Sequence, residues 1–86
     1  MITHVAIRFN GVIYSLPKPN RHHDVIRYII ELTGVETVNS HGEDQGFLDS
    51  AGKYWNRSEA LIIAKNNGQL RKDRPILNKL FSENLW

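Results

Sequence analysis

The sequence predicts an α+β fold: an N-terminal β-hairpin, a second short antiparallel sheet segment, two main helices and a short C-terminal helix. Three observations predict it. Asn10-Gly11, the favoured pair for a two-residue type I′ turn, stands between two alternating apolar runs. Val25, Ile26, Ile29 and Ile30 recur at the i, i+1, i+4, i+5 spacing of a helix that buries one stripe. The stretch Gln45 to Ala60 reads as an aromatic strand, a Ser50-Ala51-Gly52 turn, a second aromatic strand and a capped helix start.

In the hairpin, placing Phe9 opposite Val12 pairs Ile7 with Tyr14 and Val5 with Leu16, so all six share one face. His4, Ala6, Arg8, Ile13 and Ser15 fall on the other. Pro17-Lys18-Pro19 ends the hairpin, because proline fixes φ and cannot donate to a ladder. Asn20 is the expected cap of the first helix, whose first turn carries Arg21, His22, His23 and Asp24, and Gly34 is its left-handed stop. Val35 to Val38 looks like a short strand, followed by a polar loop containing His41. Strand alternation puts Phe47 and Asp49 on one face and Leu48 on the other. Asn56 and Glu59 have capping-box spacing, placing Arg57 at the first helical position of the second helix. Ala60, Ile63 and Ala64 are its inward face and Gly68 its end. Pro75 opens the short C-terminal helix, with Ile76, Leu77, Leu80 and Phe81 at helical spacing. Leu85 and Trp86 are expected to dock on this subunit or a neighbour.

At 86 residues the chain is read as one domain with a marginal core, burying roughly 60–65% of its unfolded surface. It has no cysteine, which fits a reducing cytosol, and it shows neither a signal peptide nor a membrane span. Without such staples, self-association is a natural way to gain burial. The formal net charge is +2, but the charges are segregated. Those from Glu31 to Asp49 are all acidic, and those from Lys53 to Lys79 mostly basic. The segregation suggests an anion site, head-to-tail subunit contacts, or a solvated surface with chance clustering.

The two helix starts carry cations, Arg21 and Arg57, where the dipole disfavours them. Such an end suits a bound phosphate or other anion. The alternative for Arg57 is a solvated side chain whose stem covers the neighbouring aromatics, and for His22 and His23 surface positions of a first turn. A metal site is disfavoured, since consecutive side chains diverge by about 100° and cannot converge on one ion. No nucleophile elbow or phosphate-binding glycine loop is present, and His23 with Asp24 or Asp49 lacks any specific spacing for a hydrolase. Tyr54 and Trp55 beside Lys53 and Arg57 would suit a single-stranded nucleic acid. The modest basicity suits a small phosphorylated nucleotide better.

The words Arg21-His22-His23-Asp24, Gln45-Gly46-Phe47-Leu48-Asp49, Gly52-Lys53-Tyr54, Asn56-Arg57-x-Glu59-Ala60-x-x-Ile63-Ala64, Gly68-Gln69 and Ser82-Glu83-Asn84-Leu85-Trp86 occur in this order. Together they resemble a family of small bacteriophage proteins with the pattern RHHD, QGFL-x-S-x-GRF-x-x-R-x-EA-x-x-IA-x-x-x-GQ and a closing SEDLW. Lys53-Tyr54 replaces Arg-Phe, keeping a cation and an aromatic, and Asn84 replaces an Asp. Within that group the chain is similar to phage anti-defence sponges, of the anti-Thoeris type that sequesters cyclic ADP-ribose signals and the anti-CBASS type that sequesters cyclic oligonucleotides. The resemblance implies a non-enzymatic homo-oligomer in the host cell cytoplasm that needs no cofactor or metal and holds its ligand between subunits. It implies Arg21, His22, His23, Phe47, Tyr54 and Arg57 as the ligand-binding residues. It also leads to the expectation that Arg57→Ala would leave thermal stability nearly unchanged. A phage accessory protein that binds nucleic acid or a host protein is the alternative.

Overall fold

The computed structural model describes residues 1–39 and 42–86. The expected loop residue His41 lies outside them. Strands β1 (Ile2–Phe9) and β2 (Val12–Pro17) form the hairpin in the expected register, with Phe9 opposite Val12 and Val5 opposite Leu16. Asn10 and Gly11 turn it with φ of 51° and 76°, the left-handed pair that a type I′ turn requires. Helix α1 (His22–Thr33) follows, then strands β3 (Gln45–Asp49) and β4 (Tyr54–Asn56), and helix α2 (Arg57–Asn66). One-turn 3₁₀ segments occupy Gly42–Asp44 and Ser82–Asn84.

The second sheet segment is not separate. β3 pairs antiparallel with β1, giving one four-stranded antiparallel sheet in the order β2-β1-β3-β4. Val5, Ile7 and Phe47 point from its inner face into a core completed by Val25 and Ile29 of α1, Ala60 and Ala64 of α2, and Leu80. α1 lies over β1 and β2, and α2 over β3 and β4. A register shift between Ile2 and His4 brings Ile2 into the same core despite its opposite parity. The main chain of Ile2 is held by Gln69, whose side chain accepts from its N–H at 2.7 Å and donates to its carbonyl at 2.9 Å. Gly68, at φ 65°, turns the chain out of α2 to place that glutamine. On the outer face, the Tyr54 ring lies over Gly46. A Cβ at Gly46 would stand 2.7 Å from the Tyr54 Cζ and would also collide with the Trp55 carbonyl. Among the described residues no helix is long and apolar enough to cross a membrane.

Three expectations are corrected. Arg21, not Asn20, caps α1: its N–H donates to the Asp24 carboxylate at 2.8 Å, while the Asn20 side chain turns back to the Pro17 carbonyl. Val35 to Val38 forms no strand; Val35 and Val38 instead pack their apolar side chains on the core without joining the sheet. The inward face of α2 is as expected, with Ala60 and Ala64 buried and Ile63 partly buried against the same core.

The third correction concerns residues 75–81, which are not helical. Leu80 is buried while Ile76 and Leu77 are exposed, so these residues share no single face. The backbone is claimed from outside instead: Leu80 N–H donates to the Arg57 carbonyl at 3.0 Å, and the Asn84 amide donates to the Pro75 carbonyl at 3.0 Å. A segment this short gains too little from its own hydrogen bonds to resist such competition. The helical turn at this end is instead the 3₁₀ segment at Ser82–Asn84.

Candidate functional site

Both helix starts point toward one corner. α2 begins with the full capping box: Glu59 N–H donates to the Asn56 Oδ1 at 2.8 Å, and Asn56 N–H to the Glu59 carboxylate at 3.1 Å. This fixes Arg57 at the first helical position, with its side chain directed back across β3. Its Nη2 donates to Gln45 Oε1 at 2.6 Å and its Nη1 to the Leu80 carbonyl at 3.1 Å, and the guanidinium covers the Phe81 ring at 4.5 Å. From the cap of α1, Arg21 reaches the same tail. Its Nη1 donates to Ser82 Oγ at 3.1 Å, and its Nη2 to the main-chain oxygen of Trp86 at 2.6 Å. Trp86 is pinned from its other end, where its indole N–H donates to the Asn20 carbonyl at 2.8 Å. Leu85 and Trp86 thus dock on their own chain, as one of the two expected modes had it.

The result is a small cleft of about 110 Å³. It is walled by Arg21, His22 and His23 of the α1 start, by Arg57, and by Phe81, Ser82 and Glu83 of the tail. Arg57 also lines a larger neighbouring cleft of about 490 Å³, together with Asn56, Ser58 and Lys79 and with Glu43 and Asp44. The acidic and basic blocks of the sequence therefore both contribute side chains to this second cleft.

Four of the six candidates, Arg21, His22, His23 and Arg57, come together in this way. They are not equivalent. His22 is 8% exposed, with its Nε2–H donating to the Gly46 carbonyl at 2.8 Å and its ring edge-on to Phe47 at 5.1 Å. Burial pushes its pKa down to about 4, outweighing the hydrogen bond to Gly46 that raises it, so His22 is neutral at pH 7. His23 is largely exposed, with its Nε2 3.5 Å from the Asp24 carboxylate. Burial also holds the Arg57 guanidinium below the ordinary arginine value, partly offset by the nearby Glu83 charge.

The remaining two candidates are placed elsewhere. Phe47 is fully buried at the centre of the core, so its ring supports His22 from beneath and presents no face to a ligand. Tyr54 lies on the outer face of the sheet, under Arg8 at 4.9 Å, and its hydroxyl donates to the Glu43 carbonyl at 3.1 Å. Strand parity decides both positions: residues 47 and 54 do not share a face, because Phe47 pairs with Trp55 and Leu48 with Tyr54. Among the described residues, no group of three metal-ligating side chains converges.

Reading single positions in the sequence missed Gln45, Ser82 and Glu83. Their signal was their place in the ordered words, where Gln45 opens one and Ser82-Glu83 opens the last. The Asn84 substitution also finds a role. Its side-chain amide donates to the Pro75 carbonyl while its Oδ1 accepts from Phe81 N–H, and an ionised aspartate could provide only the second bond.

Arg57 is partly buried and tied to Gln45 and to the Leu80 carbonyl, which argues against the expectation that its removal leaves stability unchanged. Arg57→Ala removes two charge-assisted hydrogen bonds to half-buried oxygens, so it should cost about 1.5–3 kcal/mol. Urea unfolding followed by tryptophan fluorescence measures this, and a loss under about 0.5 kcal/mol would show the bonds to be incidental.

The sequence model of the family described as Phage T4 y16D protein matches residues 1–86. No curated protein and no solved structure matches the chain.

Proposed function

The chain belongs to the phage T4 y16D protein family, and on that premise we propose that it is a phage anti-defence sponge. In this reading it binds a cyclic nucleotide or cyclic ADP-ribose type immune signal in the host cytoplasm and holds it without cleaving it. The observation that carries the reading is the meeting of Arg21 and Arg57, from two different helix starts, in one cleft. Each guanidinium has five N–H donors in a fork that matches phosphate, and each keeps N–H groups beyond the two it gives to the protein. The neutral His22 ring adds a wall without adding charge, and exposed His23 is free to turn toward an anion.

Size supports a ligand that extends beyond the small cleft. A volume of about 110 Å³ takes a phosphate but not a nucleoside, whereas the adjoining 490 Å³ lies in the range of about 300–1,000 Å³ usual for small-molecule sites. Glu43 and Asp44 there would accept from a base amino group. A second subunit closing over this open side is the role proposed for a homo-oligomer.

Capture and cleavage separate in one experiment. The protein is incubated with a panel of cyclic dinucleotides, cyclic trinucleotides and cyclic ADP-ribose isomers, then heat-denatured, and the supernatant is chromatographed. A signal that vanishes from solution before heating and returns intact after it is the expected result. A signal converted to a new peak would mean an enzyme. No depletion of any compound, with retardation of a single-stranded oligonucleotide, would favour nucleic-acid binding instead.

A further inference from the structure

We propose that the Glu83 carboxylate is a built-in anion, occupying the Arg21–Arg57 cleft in the empty protein and yielding to a phosphate-bearing ligand. The tail carrying it then acts as a competing strap. This inference rests on the reading of that cleft as an anion site and adds to it a regulation from within the chain.

Three observations carry it. Among the described residues, Glu83 supplies the one carboxylate in the wall of the small cleft, which it shares with two cations and two histidines. Its contact is loose where its neighbours' contacts are tight. Ser82 and Asn84 are buried, yet the Glu83 side chain is 53% exposed, and its carboxylate stands 3.9 Å from Arg21 Nη1, too far for a hydrogen bond. The strap is therefore anchored through residues 82 and 84, and the charge between them is free to swing out without undocking the chain.

The third observation is a charge balance left incomplete. Arg57 is partly buried, and both its bonded partners are neutral oxygens, of Leu80 and Gln45. A half-buried cation without a bonded counter-ion favours any anion that reaches it. Glu83 meets that demand only at a distance. A phosphate seated between the two forks would meet it directly and repel the glutamate outward.

The test titrates isotopically labelled full-length protein with inorganic phosphate at constant ionic strength, followed by NMR, for wild type, Glu83→Gln and Arg57→Ala. Phosphate is expected to shift the Ser82, Glu83 and Asn84 amides of the wild type. Glu83→Gln, which removes the competing charge and the repulsion, should bind phosphate about five- to tenfold more tightly. Arg57→Ala should bind it poorly. Wild-type binding that depends on Arg57 but is unchanged or weakened by Glu83→Gln would overturn the strap and leave the anion site standing. No binding by wild type or Glu83→Gln would overturn both. Should Glu83→Gln melt early, the wild-type titration decides: tail signals that stay fixed while Arg57 signals move would refute the displacement.

Discussion

Phe47→Ala should lose about 3–5 kcal/mol of stability, the cost of emptying a fully enclosed aromatic site. A domain of this size has only about 5–15 kcal/mol to lose, so the variant is expected to sit near its unfolding threshold at room temperature. The ring meets both helix faces and lies beneath His22, so the cavity would also loosen the floor of the candidate site. Urea titration read through Trp55 and Trp86 measures the loss, and a value below about 1 kcal/mol would show that the site refills or that the ring is not packed. Phe47→Leu separates packing from recognition, because it keeps most of the volume at a cost of about 1.5 kcal/mol. With Phe47 as core, that variant folds and captures ligand normally. With Phe47 as a plate for a base, it folds and fails to capture.

Acidification should be the second large effect. The folded-state pKa of His22 is about 4 against an unfolded value of 6.5, so between these values the unfolded chain binds more protons than the folded one. Stability is thus fully present above about pH 6.5 and declines as pH falls through the window to about 4, by roughly 3 kcal/mol in all. Thermal unfolding at a series of pH values would show this slope. His22→Gln, which retains a donor for the Gly46 carbonyl but cannot titrate, should flatten it. An equally steep profile in His22→Gln would assign the acid sensitivity to other groups. Because His22 walls the cleft, the same protonation would place a cation beside Arg21 and Arg57. Anion binding should strengthen as the pH approaches 4, in the range where the fold itself is weakening.

The hairpin was legible residue by residue because its determinants are local. Asn10-Gly11 selects the turn, and alternation then sets the register. The capping box of α2 and the left-handed stop at Gly34 are equally local, each needing only neighbours within a few residues. The segment at 75–81 shows the limit of such reading. Its apolar spacing is helical, but Leu80 N–H and the Pro75 carbonyl are taken by Arg57 and Asn84, partners that spacing does not reveal. Val35 to Val38 is a similar case, since its two valines pack on the core without pairing with any strand, a choice that local composition does not reveal.

Arg21 and Arg57 were visible as anomalies, cations where a helix dipole disfavours them. That both would grip the tail was not visible, because their partners lie 61 and 23 residues away in sequence, at Ser82 and Leu80. Phe47 and Tyr54 were both visible as aromatics beside these cations. The sheet then sent them to opposite faces, one into the core and one under Arg8.

By itself, the sequence determined the β1–β2 hairpin, the two main helices and their cationic starts, all of which depend on interactions within a turn or two of the chain. Only the tertiary structure decided that β3 joins β1 in a single sheet, that Phe47 is core, and that Glu83 lines one cleft with both arginines. Those outcomes depend on which surfaces compete for burial and which backbone groups remain to be paired, and that competition is settled over the whole molecule at once.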